Sequence, residues 1–257
     1  MNCYDLPEYW DLAFREDTAM EADFVIQAVN KYCSFSPSLV YEPGCGGGRL
    51  VVELAKRGLE VVAVDSSQAA IDYAKRQLAA NGVTANLNCG DMTTFAHSKP
   101  FDAAYCLVNT FRHLLTEDAA IAHLKCVASQ LRSGGLYLLG LHLFPPDADT
   151  EDSEEWSVTE DDVTVDMRLD VHDCQRSTRL ETLKFKMGVT TKDHPEVRTF
   201  SSDYQMRLYE AGQMQELLGK VPELELLDVY DFWYDLSDPL ELTDELGDTV
   251  LVLQKKS

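Results

Sequence analysis

The stretch that decides the fold is VYEPGCGGGRL, residues 40–50 of the 257-residue chain. An apolar run through Val40 and Tyr41 ends at Pro43, and four of the next five residues are glycines. Apolar residues then return at the spacing of a helix. A buried strand, a glycine turn and a helix together seat a nucleotide-sized ligand at the carboxyl edge of a parallel sheet. Glu42 beside the turn disfavours an anionic ligand there and favours a cationic one.

The segments after this stretch alternate between strand-like and helix-like patterns. Further strands are predicted at residues 60–65, 86–89, 101–108, 136–143, 224–230 and 249–253. This alternation predicts an α/β fold with a doubly wound, Rossmann-like, mainly parallel seven-stranded sheet. Right-handed crossovers place the carboxyl ends of the parallel strands at one edge. Because Glu42, Asp65, Asp91 and Asn109 all fall at such ends, we expect them to converge on one crevice.

The pattern changes after Pro146. Alternating apolar and polar residues beyond position 160 predict half-buried antiparallel strands, two of them joined by a turn at residues 172–175. The acid-rich segment 147–155 is predicted to be a solvated loop. We therefore expect three parts: an N-terminal lid segment with the ligand-binding α/β core in residues 1–146, an antiparallel β insertion acting as an acceptor lid in residues 147–208, and completion of the core in residues 209–257.

Composition narrows the class of protein. The net charge is −22, with 22 Lys and Arg against 44 Asp and Glu, which argues against a nucleic-acid partner. Seven scattered cysteines without a Cys-x-x-Cys pair argue against a metal site or disulfide framework and for reduced thiols in a cytoplasmic protein. No apolar run is long enough for a membrane span, and we expect no secretory signal. The oligomeric state stays open, with a homodimer as one option.

Three features together resemble the class I S-adenosylmethionine-dependent methyltransferases. They are the spaced series Glu42-x-Gly44-x-Gly46-x-Gly48, Asp65 at the end of the second strand, and the turn Gly90-Asp91-Met92 after the third. The resemblance covers residues 39–143 well and is looser beyond them. It implies S-adenosylmethionine as the cofactor.

The resemblance also implies roles for individual residues. The three glycines would let the backbone approach the methionine part of the cofactor, and Glu42 would lie near its ammonium. Asp65 would accept hydrogen bonds from both ribose hydroxyls, a task that suits a carboxylate with two oxygens, and Asp91 would face the adenine amino group. The predicted cofactor-binding residues in this core are Glu42, Gly44, Gly46, Gly48, Asp65, Ser66, Asp91 and Met92. A tight turn, a helix cap at Asp65 and a turn at Asp91 are the purely structural alternatives.

Two further segments resemble parts of small-molecule N-methyltransferases. The stretch NTFRHL, residues 109–114, is similar to an Asn/Ser-x-x-x-His-Leu/Met stretch of enzymes that include those acting on nucleotide-linked amino sugars. This implies that His113 is a base or orients the acceptor and that Asn109 lies near the cofactor; a hydrogen-bonding role for His113 at a helix end is the alternative. The opening Tyr4-Asp5…Tyr9-Trp10-Asp11 resembles a segment that closes over the cofactor, which adds Tyr9 to the cofactor site.

The sequence therefore predicts an enzyme that transfers a methyl group from S-adenosylmethionine to nitrogen or oxygen of a small molecule. An NAD-type oxidoreductase is an alternative, opposed by Glu42 and by Arg49, which occupies the place of a third small residue in the dinucleotide fingerprint. A non-catalytic S-adenosylmethionine-binding protein is another. Four arginines are candidates to clamp an anionic acceptor: Arg112, Arg168, Arg179 and Arg207.

Overall fold

The computed structural model describes residues 5–256, so Cys3 and Tyr4 lie outside the described residues. Within that range the helices are α1 (Pro7–Ala13), α2 (Thr18–Tyr32), α3 (Arg49–Lys56), α4 (Gln68–Ala80), α5 (Glu117–Gln130) and α6 (Ala211–Gly219). The strands are β1 (Leu39–Pro43), β2 (Glu60–Asp65), β3 (Asn86–Cys89), β4 (Phe101–Cys106), β5 (Leu131–His142), β6 (Ser153–Glu160), β7 (Val163–Gln175), β8 (Leu180–Thr191), β9 (His194–Arg207), β10 (Leu224–Tyr230) and β11 (Asp248–Lys255). None of the helices in the described range has the length and apolarity to span a membrane.

A seven-stranded sheet forms the core, in the order β10-β11-β5-β4-β1-β2-β3. Strands β1 to β5 are paired in parallel, while β11 runs antiparallel to both β5 and β10. The strand order reverses between β1 and β4, which is where ligands bind in open α/β sheets. The predicted doubly wound, mainly parallel sheet is confirmed.

Alternation of side chains along the strands builds a helix layer on each face. Tyr41 and Val62 point to the layer that contains α5 and α6. Val40 and Val61, one residue earlier in each strand, point to the layer that contains α2, α3 and α4. Because both faces are covered, the central strands are apolar throughout, as parallel strands usually are.

Strands β6 to β9 form a separate antiparallel sheet over the carboxyl edge of the core. The solvated loop predicted for residues 147–155 is wrong at its end, because β6 already begins at Ser153 with exposed Glu154 and Glu155. Backbone pairing to β7 does not need apolar side chains, and charged residues are common on an edge strand.

The turn predicted at residues 172–175 is also wrong. A register shift between Val171 and Asp173 lets β7 continue through those polar residues to Gln175. The chain reverses instead at residues 176–179, where Arg179 takes a left-handed φ of 59° and its N–H donates to the Arg176 carbonyl at 3.2 Å.

Helix α1 joins the antiparallel sheet to the core. Leu12 and Ala13 pack into an apolar cluster with Val165 and Phe185 of that sheet. On the other side of the helix, buried Asp11 accepts a hydrogen bond from the Tyr73 hydroxyl of α4 at 3.0 Å. The helix therefore closes one side of the space between the two sheets.

Candidate active site

A cavity of about 1080 Å³ lies between the two sheets, at the carboxyl ends of β1, β2, β3 and β4. Single-ligand pockets usually measure about 300–1,000 Å³, so this one has room for more than one small ligand. The predicted site residues along its wall are Glu42, Gly44, Gly46, Asp65, Ser66, Asp91, Met92, Asn109 and His113. The structure thus brings together residues that are up to 71 positions apart, as the strand-end argument predicts.

The glycine loop is attached to the end of β2 by backbone hydrogen bonds. The Gly44 and Cys45 amides donate to the Val64 carbonyl at 2.7 and 3.1 Å. Gly44 and Gly46 have φ angles of 71° and 52°, in the left-handed region that side chains with a Cβ rarely occupy. This conformation turns the backbone along the cavity wall.

We expect Gly44→Ala to destabilise the fold by about 2–5 kcal/mol, because left-handed strain costs about 1–2 and overpacking about 1–3 kcal/mol. A Cβ on Gly44 would lie 2.3 Å from Cγ2 of Thr110. Gly46→Ala is the matched control, since no atom lies within 4 Å of its added Cβ. Urea unfolding measures both variants. Equal losses would contradict the steric argument, and Thr110→Ser should recover part of the Gly44→Ala loss.

Asp65 organises the loop and also faces the cavity. Its Oδ2 accepts from the Gly46 amide and its Oδ1 from the Ser67 amide, both at 2.8 Å. Ser67 in turn caps α4 by accepting from the Ala70 amide at 3.2 Å. Each carboxylate oxygen has a second lone pair, so Asp65 retains the capacity to accept hydrogen bonds from a ligand.

Glu42 is the least satisfied polar group of the cavity wall. Its side chain is buried, and its Oε2 has no hydrogen-bond partner among the described residues. Burial raises the pKa of Glu42 to about 8. The neighbouring Arg49 is already held by both oxygens of Glu21, at 2.8 and 2.9 Å. A ligand that brings a cationic donor can supply the missing partner of this buried oxygen.

Asp91 and Met92 form the next part of the wall. Oδ1 of Asp91 accepts from the amide and the hydroxyl of Thr93, at 2.7 and 2.8 Å. These bonds lower the pKa of Asp91, so the carboxyl is ionised at neutral pH. The wall here is therefore negatively charged and anchored in a turn.

His113 and Asn109 follow β4, at the far side of the glycine loop. Val108 and Asn109 both have left-handed φ angles, 54° and 68°. Oδ1 of Asn109 accepts from the His142 amide at 2.8 Å, which ties the segment to the end of β5. The His113 ring lies 5.6 Å from the Tyr204 ring of β9. The His113 side chain is exposed to the cavity, where desolvation by the surrounding wall and the charge of Arg112 lower its pKa to about 4, so its ring is neutral at neutral pH.

Residues 40–135 match the sequence model of the family described as "Methyltransferase domain". This stretch, which contains the glycine loop and extends through β4, is therefore similar in sequence to a methyltransferase domain. The resemblance that the glycine series and the two aspartates indicate is thereby confirmed.

Relatives of the methyltransferase domain support the same assignment. A Geobacillus protein named as a methyltransferase is 26% identical over 141 residues, which are 54% of this chain and 57% of that protein. The chain thus spans little more than half of this curated relative. A solved S-adenosylmethionine-dependent methyltransferase from Clostridium acetobutylicum has a TM-score of 0.77 and 18% identity over 100% of both chains. An amino pentose methyltransferase from Micromonospora echinaspora, solved with S-adenosylmethionine, has a TM-score of 0.76 and 20% identity over 96% of both. At these identities the structural likeness establishes the fold.

Two predicted residues lie outside the cavity wall. Gly48 lies where α3 crosses α4, and its added Cβ would be 2.8 Å from the Cβ of Ala74. Tyr9 points away from the cavity; its ring stacks on Phe200 and its hydroxyl accepts from Arg198 at 2.8 Å. The helical period explains the difference at α1, because Pro7, Trp10, Asp11 and Phe14 share the face that lines the cavity.

The four arginines proposed as a clamp are mostly elsewhere. Only Arg112 lines the cavity, and it is buried in an ion pair with Glu181 of β8. Its Nε donates to the Arg207 carbonyl at 2.9 Å. Arg168 pairs with Glu155 and Asp170 on an exposed surface. Arg112 therefore fastens the methyltransferase domain to the antiparallel sheet, a contact that sequence spacing could not indicate.

Sequence reasoning also missed His123, a fully buried residue of α5 beneath the Met92 turn. Its Nε2 lies 2.7 Å from the Tyr137 hydroxyl and its Nδ1 lies 3.1 Å from the Met92 carbonyl. Because a carbonyl only accepts, Nδ1 carries the proton and the Tyr137 hydroxyl donates to Nε2. Burial lowers the pKa of His123 to about 4, which keeps this neutral arrangement. The sequence signal that could have identified His123 was the apolar pattern of α5, which places position 123 on the inward face of the helix.

Among the described residues no group of three or more His, Cys, Asp or Glu side chains is placed to hold a metal ion. The groups that the cavity wall presents include carboxyls, the glycine loop and a neutral histidine.

Proposed function

We propose that the protein is a methyltransferase that uses S-adenosylmethionine to methylate nitrogen or oxygen of a small molecule. The observation that carries this proposal is Glu42, whose buried Oε2 lacks a partner beside the glycine loop of a methyltransferase domain. A cofactor with an ammonium group satisfies this carboxyl once Glu42 ionises, whereas the diphosphate of NAD brings no cationic donor to it. The NAD alternative therefore loses its support.

The remaining wall fits the same cofactor. Asp65 has acceptor capacity for two ribose hydroxyls, and the turn at Asp91 and Met92 offers a carboxylate and an apolar side chain to the adenine end. When bound, S-adenosylmethionine supplies an electrophilic methyl group on a sulfonium. The role of this chain is to hold the two reactants in line and exclude water.

Residues 147–208 and helix α1 are proposed to form the acceptor side. His113 lies on that side, against Tyr204 of the antiparallel sheet. As a neutral imidazole it can accept the proton that an attacking amine or hydroxyl loses. A cytoplasmic location is proposed because the six described cysteines are all free thiols. The acidic composition opposes a nucleic-acid substrate.

Isothermal titration with S-adenosylhomocysteine tests the cofactor assignment. Glu42 must ionise to accept an ammonium, so one proton should be released on binding at pH 6.5. Affinity should rise about tenfold per pH unit up to the Glu42 pKa of about 8 and then level off. Titrations in buffers of different ionisation enthalpy count the proton.

Glu42→Gln is the matched variant, since it keeps the shape and removes the titration. It should bind more weakly at pH 8 and lose the pH dependence. Binding of NAD instead of S-adenosylhomocysteine would overturn the proposal. Tight cofactor binding without methyl transfer to a broad panel of amines and hydroxyls would favour the non-catalytic alternative.

A further inference from the structure

The charges around the acceptor half of the cavity are unbalanced. Both guanidinium groups on the wall are fully engaged by the protein: Arg49 binds Glu21 and the Thr18 hydroxyl, and Arg112 binds Glu181 and the Arg207 carbonyl. His113 is neutral at pH 7. The other wall histidine, His142, is in contact with the carboxyl of Asp248. Among the described wall residues, no unpaired lysine or arginine therefore remains for an anionic acceptor.

Uncompensated carboxyls, by contrast, line the mouth. Asp149, Asp152 and Glu154 lie on the wall at the start of the antiparallel sheet, and no described lysine or arginine forms an ion pair with any of them. The nearby Arg176 is occupied by Glu210 and by the carbonyls of Pro145 and Ala148. The mouth thus presents negative charge that the protein leaves open to the cavity.

Between the mouth and the core, aromatic side chains form much of the wall. They are Trp10, Phe14, Phe144, Trp156, Phe185 and Tyr204. Aromatic faces attract cations as well as apolar groups, and a low-dielectric wall strengthens the field of nearby carboxyls. This second feature points to the same kind of ligand as the charge at the mouth.

We infer that the acceptor is a small organic cation with an apolar or aromatic body, bound with its positive group at the carboxyls of Asp149, Asp152 and Glu154. The inference rests on the proposed function and narrows it. Phosphate- and carboxylate-bearing acceptors, including sugars linked to a nucleotide, are disfavoured because the wall offers them no unpaired lysine or arginine.

The reaction in this arrangement is balanced by the groups already named. The lone pair of the acceptor nitrogen or oxygen forms the bond to the methyl carbon while the carbon–sulfur bond breaks and its electron pair stays on sulfur. The proton lost by the nucleophile passes to the neutral His113 ring and then to solvent. The charged group at the mouth takes no part in bond making.

A matched set of probes tests this inference: tyramine, 4-ethylphenol and 3-(4-hydroxyphenyl)propionate share one body and differ in charge. The Kd of each probe is measured by titration with saturating S-adenosylhomocysteine and again without it. The second titration reports the charge preference even if S-adenosylhomocysteine does not bind. Tyramine should bind about two- to fivefold more tightly than 4-ethylphenol and lose this advantage in high salt, on the scale of exposed ion pairs. The propionate should bind most weakly.

The combined variant Asp149→Asn, Asp152→Asn, Glu154→Gln should remove the preference for tyramine. These side chains are exposed, so the fold should persist, and Glu151→Gln is the control because Glu151 is exposed in the same segment but does not line the cavity. Tighter binding of the propionate, equal or absent binding of tyramine, or an unchanged preference in the combined variant would each overturn the inference. Loss of S-adenosylhomocysteine binding alone would overturn the proposed function instead.

Discussion

His113→Ala is expected to lower kcat for methyl transfer by about 10²- to 10⁴-fold, the usual contribution of a positioned general base. Cofactor affinity should stay unchanged, because the ring lies on the acceptor side beside Tyr204. The measurement is single-turnover methyl transfer at saturating cofactor, together with titration of S-adenosylhomocysteine. His172→Ala is the control, since His172 is exposed on β7. Wild-type turnover in His113→Ala would end the base assignment.

The pH profile supplies a second readout for the same residue. Desolvation and the charge of Arg112 lower the pKa of His113 to about 4, so its ring stays neutral from pH 7 down to about pH 5. Protonation of His113 should therefore cause no loss of kcat in that range. A falling limb near pH 6.5 that disappears in His113→Gln would contradict the lowered pKa.

Asp65→Ala is expected to weaken S-adenosylhomocysteine binding by roughly 1.5–3 kcal/mol, the scale of hydrogen bonds to a charged group. The variant loses the acceptor for the ligand and also the bonds that hold the Gly46 and Ser67 amides, both at 2.8 Å. Titration calorimetry measures the loss as an increase in Kd of about 10- to 150-fold.

Two companions separate the charge from the loop geometry. Asp65→Asn keeps one oxygen acceptor and should fall between wild type and alanine. Asp72→Ala removes an exposed carboxyl from the neighbouring helix α4 and should leave Kd unchanged. If Asp65→Ala binds as tightly as Asp72→Ala, Asp65 has only a structural role at the start of α4.

The strand ends could be predicted because they follow from local patterns. An apolar run that stops at Glu42 or Asp65 marks the end of a buried strand, and parallel topology then places both carboxyls at one edge. Gly44 and Gly46 line that edge as predicted. Gly48 instead allows α3 and α4 to pack closely where they cross. Glycine spacing does not distinguish a ligand contact from a helix contact, because a close approach demands the same absence of a side chain.

The antiparallel sheet and helix α1 were harder to predict. The acid-rich segment contains the start of β6, whose pairing comes from its backbone and not from apolar side chains. Tyr9 and Trp10 are adjacent aromatic residues. Only the way in which α1 packs against its neighbours determines that Trp10, and not Tyr9, faces the cavity. One helical residue turns a side chain by about 100°, so a segment-level resemblance cannot choose between neighbours.

The sequence by itself determined the parallel core, the glycine loop and the acidic series along its edge, because each is encoded by residues close together in the chain. Only the tertiary structure decided which of these groups remain uncompensated. Arg112 is neutralised by Glu181, 69 residues away, while Glu42 keeps an unpaired buried oxygen. Pairing and desolvation set the charge that a ligand meets, and both depend on which distant segments fold against one another.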